Sequence, residues 1–199
     1  MRKIYDAKEA TFYNDIAFGF ITTLRLINNA IDKNVKAKEI KKLIINPNFY
    51  VLHIDKITNR KVIAEFKAFE FEHEEKTAIK LNSIGFDVIF APKGMFSRKD
   101  KKFDVFLAKD NILLKADLKF ISSTNPDTIA NRIGGGAMQA NRLVVDIQSK
   151  ILPNKLIDGI KSGLKKTKGL KEIMLFYRNG YYRLPVNIIE SDKIFDIVK

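Results

Sequence analysis

The run Ile112–Ile121, ILLKADLKFI, constrains the fold of this chain more than any other stretch. Strand side chains alternate between faces, and here Leu113, Leu114, Ala116, Leu118, Phe120 and Ile121 make both faces apolar. A strand of that kind belongs inside a sheet covered on both sides, not at a solvated surface. LVVDI, Leu143–Ile147, carries the same continuous apolar signature. Yet Asp117 and Lys119, two residues apart and therefore on one face, sit inside the first of these strands. Charged groups occupy such positions when they are paired or hold a ligand.

The rest of the chain supplies helices to cover that sheet. Helical periodicity runs from residue 6 to about 34, with Phe12, Ile16, Phe20, Leu24 and Ile27 on one stripe. VKAKEIKKLI reads as a second short helix, stopped by Asn46-Pro47-Asn48. FYVLHID and KVIAEF flank a polar tetrapeptide and predict a β-hairpin. A helix is expected from Glu70 to Ser83, ended by Gly85. FDVIF, DVFLA and ILLKADLKFI follow as strands, then a helix from Pro126 to Arg142, with proline well suited to its first turn. LVVDI, an amphipathic helix over NKLIDGIKSGLKK, and a strand pair around Asn179-Gly180 complete the order. The pattern predicts an α/β (α+β) fold, a central mixed β-sheet flanked by helices. It divides into an N-terminal helical extension (1–45) and a sheet-bearing domain (46–199).

Lys+Arg number 36 against 23 Asp+Glu, for a net charge of +13, which favours a polyanionic partner. The absence of cysteine excludes disulfides and thiolate metal sites, and two histidines, His53 and His73, make an all-histidine zinc site and a Ser-His-Asp arrangement unpromising. The N-terminus turns polar and acidic too early for a signal peptide. Its most apolar window, Ile16–Ile27, is interrupted by Thr22, Thr23 and Arg25 and falls short of the roughly twenty residues of a bilayer span. A soluble protein acting in the cytoplasm is expected, and no oligomeric state is assigned.

Asp104 enters its strand directly before Val105-Phe106-Leu107, and an antiparallel return through Lys109–Asn111 places it near Asp117. Two carboxylates brought together repel unless one takes up a proton or a hard cation binds both. Mg2+ (or Mn2+) suits such a pair: it lowers the pKa of bound water and neutralises charge on a phosphate. Lys119 beside it would orient the water and stabilise the transition state. Glu74, with Ala78 and Leu81 four and seven residues on, lies by the buried stripe of its helix and is a third candidate ligand. These residue types fit phosphodiester hydrolysis.

Basic residues cluster where a phosphate backbone would approach. Arg98, Lys99, Lys101 and Lys102 precede Asp104, and Lys161, Lys165, Lys166, Lys168 and Lys171 form a second group. Ser122 and Ser123, ahead of the Pro126 helix, are candidate phosphate contacts, while Thr124 or Asn125 is expected to cap that helix. Gly134-Gly135-Gly136 inside a helix marks a break, a hinge or a close approach to backbone phosphate.

A helical Glu74, a strand carrying Asp104, and Asp117-Leu118-Lys119 together resemble the PD-(D/E)xK nuclease superfamily. Phe103 stands where that motif commonly has proline, and Asp117 where it more often has glutamate. The run from Glu70 to Ile147 is similar to the toxin domains of contact-dependent growth inhibition (CdiA-type) proteins. The resemblance implies a restriction-endonuclease-like core, with Glu74, Asp104 and Asp117 as metal ligands, Lys119 at the attacking water, and Gln139 assisting from its helix. It further implies an Mg2+-dependent endonuclease acting on RNA, specifically tRNA, and is compatible with an immunity protein as partner. DNA cleavage of the restriction-enzyme or Holliday-junction-resolvase type remains open, as does a binding module that no longer cuts.

Overall fold

The computed structural model describes residues 49–65, 72–92, 102–110 and 112–199. The helices expected before residue 45, the 1–45 extension, and Arg98, Lys99 and Lys101 lie outside the described residues. The chain divides into two compact units, residues 1–99 with 105–114, and residues 100–104 with 115–199.

In the first unit, β1 (Phe49–Ile54) pairs antiparallel with β2 (Lys61–Glu65), the hairpin read from the sequence. Its turn is built on Asp55, whose Oδ1 accepts from Ile57 N (3.0 Å), Thr58 N (2.7 Å) and Thr58 Oγ1 (2.9 Å). Helix α1 (Glu72–Ser83) then crosses to β3 (Asp87–Phe90), which runs parallel to β2. The helix buries Thr77, Ala78, Leu81 and Asn82, a stripe at helical spacing. Gly85 reverses the chain after it at φ 93°, a conformation that favours glycine. β4 (Val105–Lys109) pairs antiparallel with β3 and is buried over its first four residues.

The second unit is a three-strand parallel array closed by a hairpin. β5 (Ile112–Ile121) enters it at residue 115 and lies parallel to β6 (Arg142–Ile147), which lies parallel to β7 (Glu172–Tyr177). β8 (Gly180–Pro185) returns antiparallel through a turn in which Arg178 has φ 54°. The crossovers are α2 (Pro126–Gln139) and α3 (Pro153–Lys165), as expected where parallel strands must be joined. Two short helices missing from the sequence reading follow, α4 (Val186–Glu190) and α5 (Lys193–Ile197).

Alternation assigns the faces. Ile121, Leu143, Val145, Ile147, Ile173, Leu175 and Tyr177 form one core with Ile129, Ile133, Leu156 and Ile160 of the crossover helices. α3 packs tightly on α2 because a Cβ on Gly159 would stand 2.9 Å from both Ile129 Cβ and Pro126 O. One on Gly163 would stand 2.8 Å from Ile133 Cβ. On the opposite strand face, Glu172 accepts from Arg142 Nε (2.6 Å) and Arg183 Nε (2.5 Å). Burial pushes the Glu172 carboxyl up, but the hydrogen bonds from the two guanidiniums outweigh it and hold it below the usual range.

Two expectations are corrected. α2 ends at Gln139, capped at Ala140, and Arg142 already belongs to β6, because the apolar strand pairing outcompetes another helical turn. The three glycines neither break nor hinge α2, which runs through them without interruption. The mixed α/β class holds in both units.

Candidate functional site

β5 carries the site. Its register sets Asp117 opposite Leu143 and Lys119 opposite Val145, so both side chains emerge on the helix-covered face. Asp117 is fully buried and Lys119 half-buried. The Lys119 ammonium is ion-paired with Asp117 Oδ2.

Asp104 lies just ahead of β4 and not within it, a small departure from the sequence reading. Its backbone N donates to Ala116 O (3.3 Å), and its Oδ2 accepts from Leu118 N at 2.7 Å. Those two bonds bracket Asp117 and hold the Asp104 carboxylate against it. Phe103 is buried, with Lys115 Nζ 5.0 Å from its ring centroid.

The C-terminal turn of α2 closes over this pair. A Cβ on Gly136 would stand 2.9 Å from Asp117 Oδ2, 2.9 Å from Lys119 Cε and 2.8 Å from Leu143 Cδ2. The missing side chain lets the helix lie directly over the carboxylate, a role other than the break, hinge or approach of backbone phosphate read from the sequence. One turn on, the Gln139 amide nitrogen, oriented toward acceptors, donates to Asp117 Oδ1 (2.6 Å) and to Lys102 O (3.0 Å). Gln139 thereby ties the segment before Asp104 to the buried carboxylate.

The electrostatics follow from the packing. Burial pushes the Asp117 carboxyl up to about 8, the adjacent Asp104 carboxylate adds to the shift, and Lys119 opposes it. Near neutral pH Asp117 therefore retains a proton. Asp117 Oδ2 is enclosed without a hydrogen-bond donor in bonding geometry, its ionic partner being Lys119.

The four residues Asp104, Asp117, Lys119 and Gln139 are thus brought together within the second unit. Glu74 lies on α1 of the first unit, half-buried. Among the described residues, no group of three or more His, Asp or Glu side chains is arranged to hold a metal ion. Of the basic candidates, Lys102, Lys165 and Lys166 are exposed, and Lys166 Nζ donates to Asn131 Oδ1 on α2 (2.9 Å). Ser122 is exposed, and Ser123 Oγ accepts from Asn125 N (3.0 Å). Asn125 caps α2 by accepting from Asp127 N (2.8 Å).

Sequence reasoning missed the contact role of Gly136 and the Glu172 pairing. A signal for the first lay in the glycine triplet, three residues ahead of a glutamine already singled out. Comparison with family models, characterised proteins and solved structures finds no match to this chain. No helix among the described residues is long and apolar enough to cross a membrane.

Proposed function

We propose that the chain is a metal-dependent endonuclease hydrolysing phosphodiester bonds of nucleic acid, a toxin-type RNase acting on tRNA in the cytoplasm. In this reading the fold is of the restriction-endonuclease-like class. The observation that carries it is the buried Asp117 carboxyl held against Asp104 with Lys119 on the same strand face. A carboxyl placed where it must keep a proton to about pH 8 destabilises the fold when ionised, a strain that a structural role does not require.

The donor set fits Mg2+ or Mn2+. Two hard carboxylates are drawn together, and the buried Oδ2 of Asp117 already takes a cationic partner, the Lys119 ammonium, in whose place a metal ion would sit. Asp104 and Asp117 would hold the ion, with Glu74 the further candidate from the sequence. Bound there, it supplies Lewis-acid activation of water and neutralises phosphate charge. Asp117 binds a cation only as the carboxylate, so cation and proton compete for it, and activity is expected to rise with pH at a midpoint below the value of about 8 that the carboxyl has alone. Lys119 holds the attacking water and offers positive charge where negative charge builds on the phosphoryl oxygens. Gln139 keeps Asp117 Oδ1 oriented while Oδ2 faces Lys119.

The test is incubation of the chain with total tRNA, single-stranded DNA and duplex DNA, each with and without Mg2+. Cleavage of tRNA that chelation abolishes, and that Asp117→Ala and Lys119→Ala lose while remaining folded, is the expected result. Undiminished cleavage in either variant would refute the reading, and cleavage of DNA alone would replace its substrate.

A further inference from the structure

We infer that the substrate strand runs along the exposed face of α2, from Lys166 to the Asp104–Asp117 pair, its sugar–phosphate backbone lying over Gly135. This rests on the nuclease reading and adds the path by which nucleic acid reaches the carboxylates.

Four observations carry it. Asn131, Gly135 and Gln139 follow one another at steps of four along one helix face, with Arg132 and Met138 beside them. Asn131, Arg132, Met138 and Gln139 are all exposed, and a Cβ added to Gly135 would meet nothing within 4 Å. The middle of the stripe is therefore bare backbone, open to close approach. Its two ends are fixed chemically: Gln139 reaches Asp117 and the Lys102 carbonyl, and Asn131 accepts from Lys166. At 1.5 Å per residue these ends stand about 12 Å apart, so a strand on this path makes contacts well beyond the scissile phosphate.

Charge is partitioned along the same axis. The glycine contacts show that α2 and α3 run in the same direction, with Gly159 at the Pro126–Ile129 turn and Lys166 at Gly134. The exposed carboxylates of the two helices, Asp127 and Asp158, lie in their N-terminal halves, where Lys155 is the exposed base. Arg132, Lys165, Lys166 and Lys168 lie farther along with no exposed carboxylate of α2 or α3 beside them. A polyanion is thereby drawn to the end that holds the site. Met138, 67% exposed on this otherwise polar face, offers an apolar surface on which a base can rest.

An alternative role for the lysines is to complement the negative end of the α3 dipole, which would affect stability and not binding. The two are separated by the fluorescence anisotropy of a labelled single-stranded oligoribonucleotide, measured with chelator in an Asp117→Asn background. Arg132→Glu combined with Lys166→Glu is expected to weaken binding at least about tenfold, with the logarithmic salt slope falling by about 0.7 per lost contact. Gly135→Glu is expected to weaken it comparably. Lys150→Glu with Lys155→Glu, the same charge change at exposed sites ahead of and at the start of α3, serves as control, and urea midpoints confirm that every variant folds. Equal weakening by the control pair, undiminished binding by the α2 variants, or no binding by the parent overturns the inference. Cleavage is read separately. Loss of the nuclease reading with α2-dependent binding intact leaves the path standing, whereas cleavage with unimpaired α2 variants removes the path alone.

Discussion

Replacing the helical glycines of the second unit by alanine, one at a time, should give effects of opposite sign that the structure orders in advance. Every such change relieves the helix of glycine's conformational cost, about 1 kcal/mol per residue. At Gly135 nothing opposes that gain, and at Gly134 the new methyl makes an ordinary 3.7 Å contact with Lys166 Cβ. Both variants should be more stable by nearly the full ~1 kcal/mol. At Gly159 the methyl meets a Cβ and a backbone carbonyl at 2.9 Å, and at Gly163 it meets Ile133 Cβ at 2.8 Å and Ala130 O at 3.0 Å. None of these atoms can rotate away, so the helices must part. Overpacking of this kind costs about 1–3 kcal/mol, and the upper half of that range applies where backbone is struck. The net loss is then about 1–2 kcal/mol. Gly136 is the informative intermediate, because the atoms it would strike are the far ends of Asp117, Lys119 and Leu143. Side-chain ends can yield and the last turn of α2 need shift only slightly, so stability should change by less than about 1 kcal/mol. Urea denaturation reads the series: with a slope of about 2 kcal/mol/M, midpoints should rise about 0.5 M for Gly134→Ala and Gly135→Ala and fall by a similar amount or more for Gly159→Ala and Gly163→Ala. Wild-type stability in either of the last two, or destabilisation by Gly135→Ala, would refute the reasoning.

Asp117→Asn should stabilise the protein, increasingly so as pH rises. The folded-state carboxyl titrates near 8 against an ordinary 3.8, so the folded state binds the extra proton, and stability falls with pH through that window by up to about 1.4 kcal/mol per unit. Thermal melts across it should show a slope that the amide variant flattens, and parallel curves would contradict the assigned titration. Glu172→Ala should destabilise the fold by about 3 kcal/mol, because it strips the carboxylate shared by Arg142 and Arg183 from a site where Glu172 is 5% exposed. A change below about 0.5 kcal/mol, the scale of an ordinary surface substitution, would show the pairing to be incidental. Asn125→Ala should cost about 1 kcal/mol through the lost cap on Asp127 N, and an unchanged urea midpoint would count against it.

The strands and crossover helices were legible because their signals are local. Continuous apolar runs such as LVVDI mark strands buried on both faces, and Asn125-Pro126 and Gly85 punctuate helices through backbone chemistry that no distant contact alters. The end of α2 was misplaced by three residues for the complementary reason. Ala140, Asn141 and Arg142 are compatible with helix, and the pairing of β6 with its neighbours, beginning with Lys171 N on Asn141 O and Arg142 opposite Glu172, pulls the chain out of it. Helices α4 and α5 went unread because five residues carry too little periodicity to be distinguished from a loop.

The site divides along the same line. Asp117 and Lys119 announced themselves as charges in an apolar strand, a conflict between residue and environment that a sequence displays directly. Their consequence did not, because the shift of Asp117 depends on how completely α2 covers it, and that depends on Gly136. A larger residue at 136 would lift the helix, admit water to the carboxyl and let it titrate nearer its ordinary range. One glycine thus sets both the closeness of a helix and the protonation of the acid beneath it. Gly136→Ala is therefore expected to lower the pH at which Asp117 loses its proton, while Gly135→Ala, one residue away on the open face, leaves it unchanged. NMR titration of the labelled aspartate carboxyls reads both, and an identical midpoint in the two variants would separate the packing from the electrostatics.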